Sequence, residues 1–141
     1  MMDLYKHRHT AQQMVVSGLT DSIGLYKKVG KVALNLADDW LRMLGIFDDK
    51  NKPFVSFSQV KRRMILMARA MIKHPPLLIL DEPSTGLDDK SASMLSALIN
   101  KMANEGNTAI LYVSHRMEPG LEPEYIYQLT PSESGSTGTV L

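Results

Sequence analysis

The chain has 141 residues, 44% of them hydrophobic and 22% charged, with a net charge of +1; this suits one globular domain or less and offers no electrostatic reason to expect nucleic-acid binding. Zero cysteines exclude disulfides and thiolate-bound metal and suit a reducing compartment. The apolar runs are too short to span a bilayer and no signal peptide is visible, so a cytoplasmic protein is expected.

The chain opens with a basic cluster, Lys6-His7-Arg8-His9, best read as a solvated terminus. Residues 10–19 suit a short helix with Gly18 near its end. Val32, Leu36, Trp40 and Leu44 recur every four residues with Ala33, Ala37 and Leu41 alongside, which predicts an amphipathic helix stopped by Gly45. Residues 48–53 form a polar loop. Ser58 is placed to cap a helix that carries Met64, Met67, Ala68, Met71 and Ile72 on one face until Pro75. Another helix starts at Asp89 or Ser91, turns Met94, Leu95, Leu98, Ile99 and Met102 inward, and closes at Gly106. Residues 108–113 read as a second buried strand and 124–129 as a third, at an edge. The tail, 131–140, is rich in Ser, Gly and Thr and is expected to be flexible unless its last residues add a strand. The chain has ten methionines, and those at helical spacing within 64–71 and 94–102 read as core fillers.

The most informative stretch is Leu77-Leu78-Ile79-Leu80-Asp81-Glu82. Four aliphatic residues lie between Pro75-Pro76 and the Pro83-to-Gly86 breakers, which predicts a strand buried on both faces, as in a parallel sheet. Asp81 and Glu82 then emerge at its carboxyl end, where open α/β sheets bind ligands. Phosphoryl transfer to water needs a group that holds Mg²⁺ and a group that orients and deprotonates the attacking water. Asp81 suits the first task and Glu82 the second. A bare Asp-Glu-Pro is more often a strand ending in solvated acids, so the assignment leans on its surroundings.

Those surroundings resemble the ATP-binding cassette family from Phe57 to His115. Phe57-Ser58-Gln59-Val60-Lys61 stands in the place of the family signature Leu-Ser-Gly-Gly-Gln. It is followed by Ala68-Arg69-Ala70, the Walker B strand at 77–82, the D-loop at 84–88, and Ser114-His115 as the switch histidine after a second strand. Ser17-Gly18, Asp21-Ser22-Ile23-Gly24-Leu25-Tyr26, and the residues running into Lys73-His74-Pro75 are similar to molybdate-transport members with two fused cassettes, specifically their second cassette.

The resemblance implies an α/β fold of P-loop NTPase (RecA-like) type, with a parallel sheet and a helical subdomain. Residues 1–74 would form the helical subdomain ending in the signature helix, and 75–141 the carboxyl-terminal half of the ATPase core. It implies ATP and Mg²⁺ as cofactors, Asp81 on the metal, Glu82 as base and His115 at the γ-phosphate. Ser58, Gln59, Val60 and Lys61 would meet ATP across a head-to-tail dimer with a second cassette, and Asp88 would communicate between subunits. A membrane permease is the further partner, which places the assembled protein on the inner face of the plasma membrane.

Two departures qualify this picture. The Gly-x-x-x-x-Gly-Lys-Ser/Thr phosphate loop is absent: Gly24 and Gly30-Lys31 come nearest, but five residues separate the glycines and Val32 replaces the hydroxyl. The chain is therefore expected to start after the phosphate-loop half of the fold, with Met1 an internal start, a fragment boundary or the start of a shortened product. In the signature, Gln59 and Val60 replace both glycines and Lys61 replaces glutamine. These side chains would obstruct close backbone approach, while Lys61, Arg62 and Arg63 keep positive charge near a helix start that favours anions. The alternative is a non-catalytic cassette remnant that dimerises or docks a permease.

Overall fold

The computed structural model describes residues 9–20, 30–132 and 135–140. In chain order they form α1 (Ala11–Thr20), α2 (Lys31–Met43), two single 3₁₀ turns (Phe47–Asp49 and Phe54–Ser56), α3 (Gln59–Met71), β1 (Leu77–Asp81), α4 (Asp89–Glu105), β2 (Ala109–Val113), β3 (Tyr127–Ser132) and β4 (Gly135–Val140). None of the described helices is long and apolar enough to cross a membrane. Lys6, His7, Arg8 and the stretch from Asp21 to Tyr26 lie outside the described residues. Gly30 immediately precedes α2 in extended backbone, as a loop before a helix requires.

Helix α1 begins with a reciprocal pair: Thr10 N–H donates to Gln13 Oε1 at 3.0 Å and Gln13 N–H donates to Thr10 Oγ1 at 3.2 Å, satisfying two donors that a helix start leaves open. Its buried face, with Met14, Val15 and Val16, joins the apolar side of α3 in one core with Ala37 and Leu41 of α2. Gly18 permits the approach, because a Cβ there would run into the carbonyl oxygen of Arg69 on α3. The same crossing is tied by Arg69 Nε, which donates to Ser17 Oγ at 2.7 Å. Gly45 ends the α2 segment with φ of +75°, a conformation that glycine adopts without strain. Val32 lies outside that helix's buried face, at its solvent-exposed start.

Strands β1 and β2 pair in parallel, with Leu77 opposite Ala109 and Asp81 opposite Val113. Expectation and structure part here. Leu80, with Leu78, Ile110 and Tyr112 packed beside it, faces the helical core. Leu77, Ile79, Leu111 and Val113 point the other way and remain about half exposed. The strands are thus buried on one face and not on two, because no described element covers the other. A run that is aliphatic at every position cannot by itself reveal which side is covered. Met94 on α4 is likewise exposed rather than inward, while Leu95, Leu98, Ile99 and Met102 are buried as the spacing requires.

The third strand begins later than expected and pairs elsewhere. β3 joins β4 in an antiparallel hairpin, with Tyr127 opposite Val140 and Ser132 opposite Gly135, as a sheet separate from β1 and β2. The tail does add a strand, β4, which starts at Gly135, earlier than the last residues where one was allowed for.

Two stability outcomes follow from these contacts. Alanine is ordinarily better than glycine inside a helix by about 1 kcal/mol, but Gly18→Ala places a methyl group against immovable backbone, and overpacking costs about 1–3 kcal/mol. A net loss of stability is expected in urea denaturation, and a gain would mean that α1 and α3 do not cross this closely. Asp88 caps α4 through a 2.7 Å hydrogen bond from Ser91 N–H. That bond, then one from the Ser91 side chain, holds the carboxyl below its ordinary value. A depressed folded-state pKa stabilises above the unfolded value of about 3.9 and is lost as pH falls through the folded value. The advantage of the native chain over Asp88→Ala, measured by denaturation midpoint, should be full near neutrality and shrink below about pH 4.

Candidate functional site

Parallel register brings the carboxyl ends of β1 and β2 side by side, so the loops leaving Asp81 and Val113 start as neighbours. Asp81 is exposed at the strand end. Glu82 extends the ladder by one bond, its N–H donating to the Val113 carbonyl at 2.8 Å, and then turns with φ of +51°. A side chain in that left-handed region carries strain of roughly 1–3 kcal/mol, which persists where the surroundings hold it. Those surroundings are identifiable. Glu82 Oε1 accepts from His115 N–H at 2.9 Å and lies 3.4 Å from His115 Nε2. Glu82 Oε2 accepts from Thr85 Oγ1 at 3.3 Å. The carboxylate is thereby oriented while one third of its side chain stays open to solvent, and the imidazole is 95% exposed.

Beneath this open pair lies a buried polar group that the sequence did not single out. Glu118, its side chain 4% exposed, accepts at Oε1 from Ser84 Oγ at 2.9 Å and from Ser114 Oγ at 3.2 Å. Arg116 Nε stands 3.5 Å from the same oxygen, and Tyr112 OH lies 3.5 Å from Ser84 Oγ. Burial pushes the Tyr112 phenol above its ordinary value, so it keeps its proton and serves as a donor. Nothing in one sequence separates Glu118 from the surface acids Glu122 and Glu124 that follow it.

The signature-like segment sits at the start of α3. Ser58 caps the helix, its Oγ accepting weakly from Lys61 N–H at 3.4 Å. Val60 is buried in the core, so its side chain points away from the surface it was expected to obstruct. Gln59 is exposed beside Gly86 of the loop after β1. An open depression beside it is lined by Asp49, Lys52, Ser56, Phe57, Ser58 and Lys61. Arg63, read from the sequence only as positive charge near the helix start, has a further role: one turn into α3, its Nη1 donates to the Pro83 carbonyl at 2.6 Å. That bond joins the start of α3 to the loop carrying Glu82. Asp88, assigned above to contact between subunits, is engaged here as the cap of α4.

Of the candidates, then, Asp81, Glu82 and His115 share the edge formed by two adjacent strand ends, and Ser58, Gln59 and Lys61 occupy the start of α3. Among the described residues no three acids or imidazoles gather closely enough to enclose a metal by themselves. Two neighbouring carboxylates supply hard oxygen donors, the type that Mg²⁺ takes when phosphates complete its shell.

Comparison with known proteins bears on this arrangement. A family model described as ABC transporter matches residues 4–85. The chain is 40% identical over 117 residues to the ABC transporter ATP-binding protein ModF of Escherichia coli (strain K12), covering 81% of this chain and 24% of that protein. It is 38% identical over 110 residues to the uncharacterized ABC transporter ATP-binding protein YlmA of Bacillus subtilis (strain 168), covering 77% and 42%. The chain thus spans between about a quarter and two fifths of the curated relatives it matches. Among solved structures, the ADP conformation of MJ1267, an ATP-binding cassette of an ABC transporter, superposes with a TM-score of 0.72 at 18% identity, over 82% of this chain and 48% of that one. The cbiO1 protein from Clostridium perfringens, part of the ABC transporter complex cbiONQ, superposes with a TM-score of 0.65 at 27% identity, over 77% and 41%. The parallel pair of strands with its helices is therefore part of the P-loop NTPase fold of these cassettes. With a family match over more than half its length, the chain belongs to the ABC transporter family.

Proposed function

We propose that this chain is the carboxyl-terminal part of the ATP-hydrolysing subunit of an ABC transporter. The observation that carries this reading is the pairing of Glu82 with His115 across two strand ends, 2.9 Å from carboxylate to backbone amide. Residues 1–74 act as the helical subdomain and 75–141 as half of the ATPase core. ATP with Mg²⁺ supplies the reacting phosphoryl group and neutralises its charge. Asp81, open at the end of β1, is the residue to hold the ion.

Glu82 orients the attacking water and takes its proton on the carboxylate. Its two hydrogen bonds, from His115 N–H and Thr85 Oγ1, bias its direction beforehand, which lessens the reorientation that a free side chain would need. His115, almost wholly exposed on the adjacent loop, meets the γ-phosphate. Ser58, Gln59 and Lys61 meet ATP held by a second cassette, with the backbone N–H groups of α3 contributing and Val60 acting only through its main chain. Asp88 lies at the contact between the two cassettes. In the assembled transporter this subunit binds a membrane permease from the cytoplasmic side. Molybdate-type cargo is the finer proposal, supported by Ser17-Gly18 and by the stretch from Asp21 to Tyr26, which falls outside the described residues.

A second reading, a non-catalytic module that pairs with another cassette or docks a permease, is favoured by two observations. The 141 residues contain no phosphate loop, and the signature glycines are replaced by Gln59 and Val60. On this reading Glu82 and His115 keep inherited geometry without turnover.

Two measurements separate these readings. In a reconstructed full-length cassette, Glu82→Gln should reduce turnover by about 10²–10⁴ while nucleotide binding is retained, and unchanged turnover would remove Glu82 from the mechanism. Isothermal titration of the 141-residue chain with Mg-ATP should show weak binding on the first reading, since the phosphate cradle is missing, and no measurable binding on the second. Micromolar affinity there would contradict the non-catalytic module.

A further inference from the structure

We propose that Glu118 is a positioning residue: its buried carboxylate clamps the loop after β1 to the loop after β2 and so sets the distance between Glu82 and His115. The inference rests on the reading of those two residues as the hydrolytic pair, and it deepens that reading by naming what holds them.

The two loops meet in two places. At the surface, Glu82 and His115 touch through a side chain that is 33% exposed and one that is 95% exposed. Water competes for every hydrogen bond there, so the contact holds itself weakly. Underneath, Glu118 Oε1 accepts from Ser84 on one loop and Ser114 on the other, at 2.9 and 3.2 Å, with its side chain 4% exposed. Hydrogen bonds to a carboxylate are roughly twice as strong as neutral ones, and low local dielectric strengthens them further. The buried contact is therefore the stronger of the two. Ser84 lies two residues after Glu82, and Ser114 immediately precedes His115. A clamp at these positions leaves each site residue little freedom relative to the other.

The cost of the arrangement supports a positional role. Glu118 Oε2 is buried with no hydrogen-bond partner among the described residues, and an unsatisfied buried acceptor is destabilising. An apolar residue in the same place would avoid that penalty and would give no link between the serines. The charge facing the carboxylate is Arg116, at 3.5 Å on a side chain 61% exposed. The polar neighbours are Ser84, Ser114 and, through Ser84, Tyr112.

The test reads geometry in the full chain and needs no nucleotide. The backbone amide of His115 donates to Glu82 Oε1, so its ¹H–¹⁵N resonance and its hydrogen exchange report the distance that the clamp sets. Glu118→Ala should move that resonance and accelerate its exchange by up to about tenfold, the size expected for one lost hydrogen bond, with circular dichroism unchanged. Glu118→Gln, which keeps an oxygen for both serines, should restore most of the native signal. Ser84→Ala provides a milder variant on the opposite loop, and the His115 amide should respond there too. A His115 amide that stays native in both alanine variants overturns the proposal, and so does a Gln variant as perturbed as the Ala variant. Because the read-out is loop geometry, failure of Glu82→Gln to reduce turnover would remove the hydrolytic reading while this measurement separately decides the clamp.

Discussion

The in-register parallel pairing of β1 and β2 is the constraint on which the rest of the site depends. Because Asp81 stands opposite Val113, Glu82 and Ser114 leave the sheet at the same level and their loops must run together. A slip of one residue would reverse every side chain and turn Leu78 and Leu80 away from the core. The helical core therefore enforces the register through the faces it buries, and the register delivers the acids and the imidazole to one edge. Geometry at the site is thus a consequence of aliphatic packing several residues away.

The helices connect to that edge by polar links of unequal exposure. Arg63 reaches from α3 to the Pro83 carbonyl, Asp88 fixes the start of α4, and Glu118 joins the two loops from below. Removing one partner of a charge-assisted bond commonly costs more than the bond contributes, since the other partner is left without solvent. The loop from Glu82 to Asp88 is consequently held at both ends and in its middle. The positive φ of Glu82 fits such a frame, where a local cost of backbone conformation is offset by several contacts made at once.

Much of this was legible from residue pattern. The apolar stripe of α3, the Ser58 cap and the carboxyl-end position of Asp81 and Glu82 follow from periodicity and from turn residues, which are local properties. The proximity of His115 to Glu82 followed from the resemblance, because spacing alone cannot bring residues on separate strands together. What stayed hidden depends on three-dimensional surroundings. Leu77 and Ile79 look identical in character to Leu78 and Leu80, and only the placement of helices decides which pair is wet. Glu118 looked like any acid in a polar stretch. Tyr127 and Leu129 suggested a strand, yet their partner lay in a Ser/Gly/Thr tail whose composition offers little to bury.

Among the described residues nothing covers the outer side of the two-stranded sheet, and for the 141-residue chain by itself the near-zero net charge does nothing to counter the colloidal character this gives. Adjacent aliphatic columns on Leu77, Ile79, Leu111 and Val113 present a ridged, sticky plane, and charge repulsion between molecules is too small to keep such planes apart. Salts that are excluded from protein surfaces strengthen apolar association. A sulfate-rich medium would therefore favour adhesion through this plane, whereas dilute urea would wet it first.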